Sequence, residues 1–342
     1  MIWAAWRLQR SVVCALALVA MVFIAFTVVV GFTQHHGHFL FWNAPCHGHL
    51  LQLPGRVNYC SELGAKLASV KGYDTFIRVG GYLIAPLVGA LLGILAVASE
   101  LESRTARLDW TQSISRTQWF AAKVGLGAIF VTVILVPSAI FLSWWCGTIG
   151  DKDVFAPGTF GVAGWDLVSY GLFMFALAVL LGAVIRRTGW ALAASILLFL
   201  VVAAVVPTRV RPHLVTPTVT WSEPVAATNG DGSNYFVSYP RNSWLLVNGP
   251  VPRSTVGIPT HEDESATLPK VSACVVTYPG ATETEYVKAQ LTCYSKFQVE
   301  NVAVYIADDQ FWTLQLREGI FYLLLSLIMT GGALVVVRRI EP

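Results

Sequence analysis

The sequence predicts an α-helical polytopic membrane protein with six transmembrane helices and a strand-rich extracytoplasmic domain between helices five and six. Three observations predict it. Hydrophobic residues make up 55% of the 342 positions and charged residues only 13%, a balance outside the range of water-soluble domains. Six apolar runs approach the roughly 20 residues that cross a bilayer. They lie at 11–31, 79–98, 121–146, 167–185, 189–206 and 318–337, and none holds a Lys, Arg, Asp or Glu well inside it. Between Val205 and Arg317 the composition changes: Pro207, Pro212, Pro217, Pro224, Pro240, Pro250, Pro252 and Pro259 punctuate β-type runs at 234–239, 271–278 and 297–306.

Orientation follows from the basic residues, which collect in short cytoplasmic segments of membrane proteins. With both termini cytoplasmic, Arg7, Arg10, Arg104, Arg107, Arg116, Lys123, Arg186, Arg187, Arg338 and Arg339 fall inside, against only Glu100, Glu102, Asp109 and Glu341 among the acids. The formal net charge of +3 is then a topology signal. It gives no reason to expect nucleic acid; the expected neighbours are membrane lipids.

Residues 1–10 place Trp3 and Trp6 beside Arg7 and Arg10, the composition of an interfacial helix at headgroup depth. Residues 11–206 carry the first five spans. The first is too long for the apolar part of a signal peptide and lacks a small-x-small cleavage site, so it is expected as an uncleaved anchor. An outer loop over 32–78 follows, opening with QHHGHFLFWNAPCHGHL and holding His35, His36, His38, His47 and His49. Imidazoles bind zinc or copper and titrate between about pH 5 and 8. A solvated loop with neither role is the simplest reading, since no spacing fixes a ligand geometry. Cys46 and Cys60 share this loop, and Cys274 and Cys293 share the large outer segment. An oxidising compartment favours a disulfide within each pair; the alternative is four unpaired thiols.

Pro86 in the second span and Pro137 in the third are expected to kink or locally unwind their helices. Gly89 and Gly93 form a small-xxx-small pair that lets another helix approach closely. Residues 99–123, SELESRTARLDWTQSISRTQWFAAK, are dense in charge yet keep Leu101, Leu108 and Trp110, and Ser115 with Gln118 makes a capping-box pattern. The pattern predicts a short amphipathic helix, a break and a new helix, either docking on a cytoplasmic partner or held by lipid phosphates. Residues 207–317 suffice for a core of their own. Phe311 and Trp312 anchor the entry to the last helix, and 318–342 form that helix and a cytoplasmic tail.

The run ELESRTARLDWTQSISRTQWFAAKVG resembles the pattern E-L-E-x-G-T-x-R-L-A-W-T-Q-S-V-T-R-x-R-W of actinobacterial permeases of ATP-binding-cassette exporters. WRLQR, GAVIRRTGWALA, RPHLVTP, FWTLQLREG and the terminal VVVRR resemble further stretches of the same family, so the likeness spans nearly the full length. Ser103 and Arg104 depart from the family's variable residue and Gly, and Asp308 and Asp309 from its small residue and Ser.

The resemblance implies a permease subunit whose coupling segment lies in 99–120, with Glu100, Glu102, Thr105, Arg107, Trp110 and Arg116 at matched positions. It implies two partners: a separate ATP-binding-cassette ATPase, which holds the ATP and Mg, and a second permease copy or a related permease. It places the chain in the bacterial cell membrane. The chain is not expected to be an enzyme by itself, because it has no G-x-x-x-x-G-K-[ST] loop, no Gly-Lys pair and no catalytic constellation. Uncharged spans favour a hydrophobic or amphipathic compound, lipid or peptide over sugars or ions. Two rivals remain: an ATP-driven mechanical transmitter acting on a cell-envelope partner through the outer domain, and a membrane sensor or scaffold without an ATPase.

Overall fold

A computed structural model describes residues 2–43, 56–103, 115–148, 154–155, 157–222, 237–240, 242–255, 257–272 and 283–339. Its helices are α1 (Ile2–Asn43), α2 (Arg56–Glu102), α3 (Arg116–Thr148), α4 (Asp166–Ile185), α5 (Thr188–Val205), α6 (His261–Ser272), α7 (Glu283–Phe297) and α8 (Phe311–Arg339), with a one-turn helix at Pro157–Phe160. The strands are β1 (Thr218–Ser222), β2 (Trp244–Pro252) and β3 (Val299–Ile306). Two compact units result, one of residues 1–208 with 315–342, the other of residues 209–314.

In the first unit, α1 to α5 and α8 are each long and apolar enough to cross a membrane, as the hydropathy predicts. At about 1.5 Å per residue, the 20 residues of α4 match a hydrocarbon core of roughly 30 Å. α1, with 42 residues, and α2, with 47, are longer than that core requires.

No break separates the expected interfacial helix from the first span among the described residues. Residues 2–10 are the first turns of α1, and the helix continues past the expected loop start at 32 as far as Asn43. No proline interrupts this stretch, and one glycine, Gly37, is too weak a breaker to end a helix. α2 and α3 likewise run through Pro86 and Pro137 without interruption.

α2 and α4 form the centre of this unit, and they touch backbone to backbone. A methyl group on Gly89 would collide with the carbonyl oxygen of Gly171, and one on Gly93 would lie 2.5 Å from that of Phe175. The small-residue pair therefore works as expected. Ile94, Ala98, Ala178 and Ala191 extend the contact to α5. Leu18 and Val22 of α1, Leu197 and Leu200 of α5, and Leu324, Leu327 and Ile328 of α8 are exposed, which suits acyl chains and not water. Trp165, just before α4, and Trp190, in the first turn of α5, are exposed, as aromatic belts at helix ends are.

The second unit has an antiparallel sheet in the order β1-β3-β2. A bulge between Leu245 and Val247 shifts the β2 register, and Val247, Val251, Val302 and Val304 build the core on one face. Val237 lies alongside β2, donating its N–H to Asn248 Oδ1 (2.9 Å) and accepting from Asn248 Nδ2 (3.2 Å). The strand-rich expectation is thus half right. β3 falls inside the run predicted at 297–306, but residues 237–239 form no strand, residues 271–272 end α6, and α6 and α7 are helices. Glu262, Asp263 and Glu264 fill the first turn of α6, the charge that a helix N-terminus favours. That signal outweighs the proline at position 269.

Candidate functional site

At one end of the first unit, four helix termini are tied together by charged side chains. Glu100 and Lys123, near the end of α2 and the start of α3, form an ion pair with both residues buried. The Lys123 ammonium also lies 5.7 Å from the ring centroid of Trp119. Two residues further, Glu102 reaches the N-terminus of α5, accepting from the Thr188 N–H at 2.8 Å and from the Thr188 hydroxyl. Arg187, at the cap position of α5, offers no side-chain cap of its own, so a carboxylate from another helix satisfies an orphan donor and meets the positive end of the helix dipole. Arg186 turns the chain between α4 and α5 with a left-handed φ of 57°.

The start of α3 is fixed in the same way. Ser115 Oγ accepts from the Gln118 N–H at 3.2 Å, the bond that the Ser-x-x-Gln pattern predicts. Arg116 donates to the carbonyl of Arg338 at 3.0 Å, and Arg338 Nε to Thr117 Oγ1 at 3.3 Å. Glu100, Glu102 and Arg116, three of the six matched positions, thus converge on the termini of α2, α3, α5 and α8. Thr105, Arg107 and Trp110 lie outside the described residues. The basic-residue pattern places Lys123 and Arg338 at the cytoplasmic side, but nothing periodic in the sequence pairs them, or Thr188, with the matched positions.

The opposite end of this unit holds a second polar group. Asp166, Ser169, Gln315 and Glu318 are buried. Gln315 Nε2 donates to the carbonyls of Phe160 (3.1 Å) and Ala163 (2.5 Å), its Oε1 accepts from the Trp165 N–H (3.1 Å), and Tyr170 Oη donates to Glu318 Oε1 at 2.8 Å. Positions 315, 318 and 322 share one face of α8, and 166, 169 and 170 one face of α4; that spacing was the available signal. Tyr170→Phe leaves a buried carboxylate short of a donor. It is expected to cost about 1.5 to 3 kcal/mol, read as a lower unfolding midpoint in detergent. Nearby, Gln34 bridges Asp74 and the Trp145 indole, and Arg78 donates to Thr159 Oγ1 at 2.7 Å.

In the second unit, a cleft of about 490 Å³ is lined by Tyr239, Leu245, Leu246, Asn248, His261 and Glu264. At the start of α6 the Asp263 carboxylate accepts from the Thr260 N–H (2.9 Å) and hydroxyl (2.8 Å), and these bonds hold its pKa below the ordinary 3.8. A depressed folded-state value means that the cap contributes above the ordinary carboxylate pKa and is lost as pH falls through the folded value. Protection of the first-turn amides of α6 against hydrogen exchange, relative to the unstructured chain at the same pH, should hold from neutrality to about pH 4 and fall below it. In Thr260→Val the fall should begin at higher pH.

Among the described residues, no group of three or more His, Cys, Asp or Glu is placed to hold a metal ion. His35 is exposed on α1, His36 and His38 lie on the same helix and not in a loop, and His47 and His49 fall outside the described residues. Cys60 lies on α2, Cys293 on α7 is disulfide-bonded, and Cys46 and Cys274 are outside the described residues.

No curated protein and no solved structure matches the chain. Residues 17–211, more than half of the sequence, match the family described as ABC-2 membrane transporter related. The match takes in most of α1, all of α2 to α5, and the tied helix termini at Glu100, Glu102 and Arg116. The chain belongs to this family, as a multi-pass ABC-2-type permease.

Proposed function

We propose that this chain is the permease subunit of an ATP-driven exporter of the actinobacterial type that its ELESRTARLDW motif resembles. Its termini and the Glu102 end of the bundle face the cytoplasm. There the 99–120 segment, with Thr105, Arg107, Trp110 and Arg116, meets a separate ATPase that carries ATP and Mg. A second permease, identical or related, completes the membrane assembly. The cargo is a hydrophobic or amphipathic compound, a lipid or a peptide, since none of the six apolar runs holds a charged residue well inside it.

The observation that carries this reading is the convergence of the matched acids and Arg116 on four helix termini. A displacement there reaches several spans at once. In the same reading, residues 209–314 lie outside the cell, and Cys274 with Cys293, and Cys46 with Cys60, form disulfides in that oxidising compartment; the bonded state of Cys293 supports the first pair.

Reconstitution with the ATPase tests the exporter reading. ATP-dependent efflux of a lipophilic dye from vesicles is expected; ATP hydrolysis without efflux of any lipophilic probe would count against it. The compact second unit, with its own valine core, favours a second reading, in which ATP-driven motion works this unit on a cell-envelope partner. Deleting residues 215–310 separates the two. A mechanical transmitter loses function while ATPase assembly persists, whereas an exporter keeps dye efflux.

A further inference from the structure

We infer that Glu100 and Glu102 are not docking contacts for the ATPase but the transmission joints within the permease, Glu100 to α3 through Lys123 and Glu102 to α5 through Thr188. The inference rests on the permease reading above and assigns roles within it. Glu100 has little surface to offer a partner: it is buried, and its carboxylate is engaged by a buried ammonium on another helix. Glu102 is exposed, yet its carboxylate accepts from both the N–H and the hydroxyl of Thr188. Those bonds make it the cap of α5, which has no cap from its own sequence. Two acids two residues apart point to different sides of α2, so one short stretch grips two helices. Arg116 closes the arrangement from the far side of the segment, through the carbonyl of Arg338.

These joints suit transmission better than mere cohesion. A desolvated ion pair is sensitive to small separations, because its attraction acts in a low dielectric and its charges have no water to fall back on. A capping carboxylate moves the helix that it caps, since the hydrogen bonds run along that helix axis. A shift at the end of α2 therefore moves α3 and α5 together. Docking on the ATPase is left to the residues that follow Glu102.

The test uses the complete complex with its ATPase. Cys14 and Cys146 are replaced, and spin labels are placed at Ile129 on α3 and Leu197 on α5, both exposed. The probe is MgATP, and pulsed electron paramagnetic resonance reads the α3-to-α5 distance with and without it. With Glu102→Ala or Thr188→Val, the ATPase is expected to copurify at the unsubstituted ratio while the coupling of ATP binding to the distance falls about fivefold or more. Thr188→Ser, which keeps the hydroxyl, is expected to restore it. Glu100→Lys should lose the distance change, and Glu100→Lys with Lys123→Glu should recover it. Retention of the ATPase by Glu100→Lys at the unsubstituted ratio, read in the same preparation, separates lost transmission from a folding defect.

Loss of the ATPase from the Glu102→Ala complex would make Glu102 a docking contact and overturn the proposal. A full distance change in Glu102→Ala and Glu100→Lys would overturn it as well. If the unsubstituted chain brings down no ATPase, the permease reading has failed first, and the joints fail with it.

Discussion

Lys123→Met is expected to destabilise the folded chain by about 3 kcal/mol or more, the usual cost of taking one partner from a buried ion pair. The ammonium and the Glu100 carboxylate are buried together between α2 and α3. Removing the ammonium leaves a carboxylate that has shed its water and lost its counter-charge. The double variant Glu100→Leu with Lys123→Met should recover most of the loss, because replacing a buried pair by apolar side chains is often neutral or better. The measurement is the unfolding midpoint of the purified chain in detergent. A single variant as stable as the parent would mean that the pair contributes nothing to the fold.

The second large effect is expected at the contact between α2 and α4. Gly93→Leu puts a side chain where even a methyl group would lie 2.5 Å from the Phe175 carbonyl oxygen. The obstacle is helix backbone and cannot rotate away, so the helices must separate. About 3 kcal/mol is the scale for such overpacking, and a contact that cannot relax costs more. Gly125→Ala on α3 is the control. Nothing lies within 4 Å of a methyl group there, and alanine is the better helix former by about 1 kcal/mol. Folded yield should collapse for Gly93→Leu and hold or rise for Gly125→Ala.

The spans were legible because hydropathy acts over about 20 residues at a time and tolerates errors at single positions. The Gly89 and Gly93 contact was legible for a different reason: in a membrane helix, small residues one turn apart have few uses besides close packing. Ser115 and Gln118 gave the start of α3 through a local hydrogen bond. Helix ends without such a cap were not legible, and α1 runs on to Asn43 because the polar, histidine-bearing stretch contains nothing that stops a helix. In the second unit, proline content suggested strands and turns, whereas the acidic first turn of α6 and the charge-rich run of α7 make helices.

Within the candidate site, the sequence pointed to Glu100, Glu102 and Arg116 through a motif, and the structure brings all three to tied helix termini. Their partners Lys123, Thr188 and Arg338 come from other helices, and no spacing along the chain announces such a meeting. Asp166 and Glu318 escaped notice because each stands at the edge of an apolar run, where a charge usually means the water interface. Here both are buried.

The most direct measurement is to isolate the tagged full-length chain from its native membrane in mild detergent and identify what accompanies it by mass spectrometry. The account predicts an ATP-binding-cassette ATPase at one copy per permease, lost when Arg107 and Trp110 are both replaced. Recovery of the chain without any such ATPase, under conditions that keep known transporter complexes intact, would contradict it.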